Sequence, residues 1–380
     1  MDAIAQLDRI DWNFPGTGTS ETSVHRLARF PGNFMPDIPA YLCEILTSAN
    51  QVVLDPFCGS GTTGIEAAKL GRRVLLSDSN RVAIELSLAK CALLSEPNLV
   101  EQLQSLSENI DPLFNATPVE IGLQSEELLK WYHPETLAKL RLLWSHISQT
   151  PDKCRAVGRM LFYEVLFDCS APLLQTTASG KKRRHHWGWV ADNVVPRVCG
   201  VYDVYHNFRQ RIQHTISIIK FNNFGVSPID VEVVRATADR LPFQNEVADA
   251  IITSPPYVSM IDYTLANRLV YYWNNWSYKE ELASEIGARR FRNRTTALID
   301  YLSQMESCFR EMHRLLKPGG YCALVIGASR KHDDAVGLAI NQLKNHFSVI
   351  WGPKKRESSR RRVADRLGRA SGESIIILQK

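Results

Sequence analysis

The sequence predicts an α/β chain built on one doubly wound sheet, and three observations carry that expectation. Seven short apolar runs read as strands. Helical periodicity fills most of the intervals between them. A Gly-rich turn, Gly59-Ser60-Gly61, joins the first run to a helix, and doubly wound sheets hold nucleotides with such turns. At 380 residues, 44% of them hydrophobic, the chain suffices for one large domain or a core with one substantial insertion.

Residues 1–24 show little periodicity and read as an irregular arm. Gln51–Leu54 is the first strand, and Ile65, Ala67, Ala68 and Leu70 mark the helix after the turn. Arg73–Ser77 is the second strand; it ends in Asp78, ahead of a helix over Arg81–Lys90. No third strand follows at once. From Ser95 to Phe224 the chain reads as helical: Leu137, Leu140, Trp144 and Ile147 share a face, with Pro134 placed for a first turn. Val157, Leu161 and Val165 repeat the spacing, as do Val201, Val204, Phe208, Ile212 and Ile219. Between these helices Gln175–Arg197 is basic and aromatic and reads as a loop. The sheet resumes with Val231–Arg235 and Asp249–Thr253. Tyr301–Leu315 is an amphipathic helix, and Lys317-Pro318-Gly319-Gly320 turns the chain into strand Tyr321–Ile326. A helix through Val336, Ile340 and Leu343 and the strands Phe347–Trp351 and Ser374–Leu378 complete the sheet. Residues 1–95 and 226–380 thus form the sheet domain, and 96–225 a mainly helical insertion.

Two stretches carry chemistry. Asp249-Ala250-Ile251-Ile252 runs into Thr253-Ser254-Pro255-Pro256-Tyr257, where two prolines end the strand because neither can donate to a ladder. The stiff loop, with a hydroxyl before the prolines and an aromatic ring after, suits a planar, amine-bearing ring. Ser254 and the Pro255 carbonyl can accept its two amine protons while Tyr257 covers its face. A Pro-Pro pair alone marks only a turn, so the partner stretch decides. In Asp55-Pro56-Phe57-Cys58-Gly59-Ser60-Gly61-Thr62-Thr63, the glycines permit a sharp turn and the helix start offers unpaired N–H groups. Asp78, roughly twenty positions on, sits where an acidic residue takes ribose hydroxyls; it is also placed to cap the next helix.

Net charge is only +5, but its distribution is uneven. Lys181, Lys182, Arg183 and Arg184 form one basic cluster, Arg289, Arg290, Arg292 and Arg294 a second, and Lys354–Arg369 a third. Beside a loop that suits a planar, amine-bearing ring such clusters suggest contacts to phosphates. The eight cysteines show no Cys-x-x-Cys and no zinc-type spacing with histidine, which predicts a reducing cytoplasm and no metal site. No apolar run is long enough for a membrane span, and Met1-Asp2 opens no signal peptide.

Together the Gly-rich turn and the Ser-Pro-Pro-Tyr loop resemble the DNA amino-methyltransferases, which use S-adenosylmethionine to modify cytosine N4 or adenine N6. Two further stretches strengthen the resemblance. One is His25–Ala40, centred on Phe30-Pro31-Gly32-Asn33-Phe34, similar to the family segment that closes over the cofactor. The other is Ala238–Phe243, where the family sets an acidic residue, here Asp239, near the cofactor adenine. The resemblance implies a class I methyltransferase sheet of Rossmann type with an antiparallel last strand. It assigns the cofactor to Phe30, Asp55, Pro56, Phe57, Gly59, Ser60, Gly61, Thr62, Asp78 and Asp239, and the target amine to Ser254, Pro255, Pro256 and Tyr257. The serine form is most similar to the N4-cytosine members. Expected partners are double-stranded DNA, read mainly by residues 96–225 with 258–294 as the other candidate, and a restriction endonuclease acting on the same site.

The chemistry follows from the amine. Its lone pair is delocalised into the ring, and accepting both amine protons frees it to attack a methyl group. Positioning supplies much of the rate. No covalent cysteine is required, and Cys58 has no expected catalytic role. A base inside a duplex must first be flipped out. Adenine N6 in DNA and a base in tRNA are the alternative targets, and a nucleic-acid-binding scaffold without activity is the alternative from another class.

Overall fold

The computed structural model describes residues 3–14, 20–32, 34–111, 126–171, 190–224, 229–356 and 370–380. Seven strands form one sheet: β1 (Val52–Asp55), β2 (Arg73–Asp78), β3 (Val231–Arg235), β4 (Ala248–Thr253), β5 (Leu316–Ser329), β6 (Ser348–Arg356) and β7 (Ala370–Gln379), in the order β3-β2-β1-β4-β5-β7-β6. Pairings from β3 through β5 are parallel, and β7 inserts antiparallel between β5 and β6. The expected doubly wound sheet with an antiparallel last strand is therefore present. Strand order reverses at β1, which lies between β2 and β4, and ligands of such sheets bind beyond the strand ends at that reversal. Both chemistry-bearing loops leave these ends.

The central strands β1 and β4 are mostly apolar and buried because both their faces are covered, whereas the edge strands β3 and β6 are more polar and exposed. Side chains alternate along each strand: Val53, Ala250, Ile252, Ala323, Val325, Ile375 and Ile377 join one buried cluster, while Leu54, Ile251, Leu324, Ile376 and Leu378 join the other. The first face receives α1 (Ala3–Leu7), α2 (Asp37–Leu46), α3 (Thr62–Lys69), α4 (Arg81–Ser95), α5 (Leu99–Glu108), α6 (Pro134–Ser148), α7 (Asp152–Cys169) and α8 (Val204–Asn222). The helical insertion thus shares its core with the sheet. Three short helices, α9 (Tyr263–Ala266), α10 (Arg268–Trp273) and α11 (Tyr278–Ser284), follow the Pro-Pro loop. On the second face lie α12 (Ala297–Leu315) and α13 (Ala335–Leu343). Among the described residues no helix is long and apolar enough to cross a membrane.

The N-terminal arm departs from expectation. Leu7 and Trp12 are buried, and the Trp12 indole donates to the Leu7 carbonyl at 3.0 Å. Arg356 on β6 donates to the Trp12 carbonyl at 2.9 Å, and the Trp351 indole to Asp8 at 2.8 Å. Two isolated tryptophans with no periodicity gave no sign of this clasp.

Close helix–sheet packing rests on Gly64 in α3. A Cβ there would fall 2.6 Å from the Leu76 side chain of β2. Gly64→Val is expected to destabilise the fold by about 1–3 kcal/mol through overpacking. A midpoint of urea unfolding equal to that of the wild type would refute this.

Candidate active site

The Gly-rich turn is held from several sides. The Cys58 amide donates to the Ser77 carbonyl at 2.9 Å, and the Ser87 hydroxyl to the Gly59 carbonyl at 3.1 Å. Gly59 and Gly61 have φ of +51° and +78°, a region that favours glycine. A Cβ on Gly61 would also meet Ser87 Oγ at 2.9 Å. Beneath the turn lies Lys90, fully buried, which donates from Nζ to Ser60 Oγ at 3.0 Å. Burial lowers its pKa to about 8. Burial also pushes the Cys58 thiol well above its ordinary range, with Asp78 and Asp55 adding to the effect.

Two carboxylates flank the turn with no salt-bridge partner among the described residues. Asp55 ends β1, accepts from Thr253 Oγ1 at 2.5 Å and from the Phe57 amide at 3.1 Å, and so ties β1 to the end of β4. Asp78 ends β2 and accepts from the Gly59 amide at 3.0 Å and the Asn80 amide at 2.9 Å. Burial, opposed in part by these hydrogen bonds, pushes both carboxyls up to about 6. Asp78 does not cap α4. Asn80 does, its Oδ1 accepting from the Val82 and Ala83 amides, because Asp78 is already turned back towards the Gly-rich turn.

Across the cavity stands the Pro-Pro loop. Ser254 Oγ donates to the Val325 carbonyl at 3.1 Å, which leaves its lone pairs for another donor. Tyr301 donates to the Pro256 carbonyl at 3.1 Å, while the Pro255 carbonyl accepts no hydrogen bond from the described residues. A cavity of about 380 Å³ lies between the two loops. It is lined by Phe30, Asp55, Pro56, Phe57, Gly59, Ser60, Thr62, Asp78, Asp239, Ser254 and Pro256. Gly61 lies just behind the wall as the residue before α3.

Tyr257 takes a different place from the one expected. It does not line the cavity. Its ring rests on Gly327 of β5, where a Cβ would fall 2.5 Å from Cε2, and its hydroxyl donates to Glu373 at 3.2 Å. Tyr263 does line the cavity, with Phe30, Phe34 and Phe57, and is stacked on Phe30 at 6.0 Å between centroids.

Sequence reading also missed Glu281, Glu285, Ile286, Ser303 and Gln304, which are among the further residues of the wall. Glu281 is buried against Arg81 at 3.0 Å and Arg235 at 3.2 Å. Glu285 accepts from the Thr264 amide at 2.6 Å and pairs with Arg290. No described residue of 96–225 lines the cavity, whereas 263–286 supplies much of one side.

The second basic cluster divides. Arg290 is an internal tie, bonded to Glu285, Asp262 and the Leu282 carbonyl, because the buried carboxylates of this segment need a counter-charge. Arg289 is half-buried and pairs with Asp192 at 3.3 Å. Arg292 and Arg294 are exposed, the latter with its guanidinium 4.0 Å above the Phe291 ring. Lys181, Lys182, Arg183 and Arg184 lie outside the described residues, as do 357–369 of the third cluster. Among the described residues no group of three or more His, Cys, Asp or Glu side chains is placed to hold a metal ion.

Residues 7–89 match a family model for N6/N4 methyltransferases, described as DNA methylase. Three relatives are type II methyltransferases. M.MjaII of Methanocaldococcus jannaschii is 26% identical over 114 residues, 29% of this chain and 20% of that one. M2.DpnII of Streptococcus pneumoniae is 34% identical over 77 residues, 19% of this chain and 29% of that one. M2.LlaDCHI of Lactococcus lactis subsp. cremoris is 35% identical over 63 residues, 16% and 23% of the two chains. The matches therefore span less than a third of each relative's length. Among solved structures, TrmN from Thermus thermophilus aligns over 92% of this chain and 50% of its own, at 14% identity and a TM-score of 0.36. The family match lies on the cofactor-side loops, and over these stretches the chain is similar to the DNA amino-methyltransferases, their N4 and N6 branches taken together.

Proposed function

We propose that this chain is a site-specific DNA methyltransferase that transfers a methyl group from S-adenosylmethionine to N4 of a flipped cytosine in duplex DNA. The observation that carries the reading is the adjacency of β1 and β4, which sets the Gly-rich turn and Ser254 on the walls of one cavity. The residues fit the cofactor. Asp55 and Asp78 are carboxylates with no salt-bridge partner among the described residues, and suit a ligand bearing a positive sulfonium and ammonium. The space at Gly59 would close with a Cβ, which would stand 3.2 Å from Phe30. In this reading the Asp55–Thr62 turn holds the methionine portion, Asp78 the ribose hydroxyls and Asp239 the adenine, while Phe30 closes over them. When bound, the cofactor supplies an electrophilic methyl group.

This chain's own groups prepare the amine. Ser254 Oγ and the Pro255 carbonyl accept its two protons, so the nitrogen lone pair leaves the ring and points at the methyl carbon. Tyr263 is placed to cover the base, a role first read for Tyr257. The neutral hydroxyl at position 254 supports cytosine over adenine. A restriction endonuclease reading the same site and a prokaryotic cytoplasm belong to the same proposal, supported by the family resemblance. The test is transfer of labelled methyl to duplex DNA and to tRNA, followed by nucleoside analysis. N4-methylcytosine in duplex DNA is expected; N6-methyladenine, or label only in tRNA, would overturn the reading.

Binding to DNA should draw on Arg292 and Arg294. Replacing each by alanine is expected to reduce the slope of log affinity against log salt by about one unit. Arg290→Ala should instead lower stability, since it leaves Glu285 buried without its partner. Fluorescence anisotropy with a labelled duplex decides this, and an unchanged slope in the Arg292/Arg294 double variant would remove both from the interface.

A further inference from the structure

Tyr257 has one hydroxyl proton and two acceptors within reach. Glu373 Oε1 lies 3.2 Å away and Ser254 Oγ 3.3 Å. The ring is wedged on Gly327, so the hydroxyl stays between them. We propose that Glu373, on β7, is a positioning residue for the acceptor oxygen of Ser254 and acts through Tyr257. The inference rests on Ser254 being the amine acceptor.

A carboxylate is the stronger acceptor and draws the tyrosine proton to itself. Arg356 holds that carboxylate in place: it pairs with Glu373, lies directly opposite it in the β6–β7 ladder, and is fixed by the Trp12 carbonyl at 2.9 Å. Burial, with Glu373 adding to it, pushes the Tyr257 phenol well above its ordinary range, so the proton is always present. Ser254 donates its own proton to the Val325 carbonyl. With the Tyr257 proton on Glu373, a Ser254 lone pair stays open to the cavity. Without the carboxylate, Tyr257 turns its proton to Ser254 and occupies the oxygen that the amine needs. The clasp between the N-terminal arm and β6 thereby reaches the reacting loop.

A double-mutant cycle tests this. Labelled methyl transfer and cofactor Kd are measured for the wild type, E373A, Y257F and E373A/Y257F. E373A is expected to lower kcat about tenfold with cofactor Kd unchanged, and to cause no further loss in the Y257F background, where no hydroxyl remains to misdirect. E373Q keeps a carbonyl acceptor for Tyr257 and should stay within about threefold of the wild type. An E373A loss that is equal in both backgrounds, or an E373Q loss as large as that of E373A, would overturn the inference. A wild type that transfers no methyl to any nucleic acid removes the reading beneath it, and a fully active S254A removes the acceptor role. An active wild type with an inactive S254A and an unrescued E373A removes this inference alone.

Discussion

Ser254→Ala is expected to lower methyl transfer by roughly 10²-fold, about 2.7 kcal/mol in the barrier, while cofactor affinity stays at the wild-type value. The hydroxyl is fixed before substrate arrives, donating to the Val325 carbonyl at 3.1 Å beside the Tyr257 hydroxyl at 3.3 Å. Its contribution therefore needs no reorganisation as the amine nitrogen rehybridises. The side chain's hydrogen bonds go to Val325 and Tyr257 and not to the Gly-rich turn, so the methionine and ribose sites should keep their geometry. Fold stability should fall by about 1 kcal/mol through the lost hydrogen bond, too little to unfold the chain. Single-turnover transfer beside calorimetric titration of the cofactor separates the two effects. Transfer within about twofold of the wild type would move the acceptor role to the Pro255 carbonyl alone. Weakened cofactor binding would instead place Ser254 in the cofactor site.

The sheet was legible because strands covered on both faces carry an unbroken apolar run, as Asp249–Thr253 and Ser374–Leu378 do. The cofactor-side wall was legible because a Gly-rich turn fixes its neighbours within a few residues: nine of the ten residues assigned to that ligand line one cavity. What stayed hidden depends on contacts between distant segments. Tyr257 and Tyr263 are both aromatic and close in sequence, and only the packing of Tyr257 on Gly327 decides which one faces the cavity. Arg290 sits in a run of arginines that reads as surface, and it is the buried Glu285 that draws it inward. Glu281 and Glu285 fall in a stretch with no strong periodicity. Gly64 alone left a usable sign, since Gly59, Gly61 and Gly64 keep the spacing of a dinucleotide turn.

Cofactor affinity should rise with pH through about 6, and Asp78 should carry much of that rise. Both Asp55 and Asp78 have their carboxyls pushed up to about 6 by burial. Raised acid pKa values mean that the fold favours the protonated forms. On these two groups alone, stability is highest below the ordinary carboxylate range and falls as pH rises to about 6. A cation in the cavity reverses that preference, since it favours the ionised forms. Binding near pH 6 should therefore release protons, visible as an observed enthalpy that varies with the ionisation enthalpy of the buffer. Asp78→Asn removes the charge but keeps a carbonyl acceptor for the Gly59 amide, and it is expected to weaken binding by about 1–3 kcal/mol and to flatten the pH dependence. Asp78→Ala also leaves the Gly59 amide without its acceptor at 3.0 Å, so it should weaken binding further and loosen the turn. Asp55 keeps a residual pH dependence in both variants. An Asp78→Asn protein with wild-type affinity at about pH 8 and an unaltered pH profile would take Asp78 out of the site.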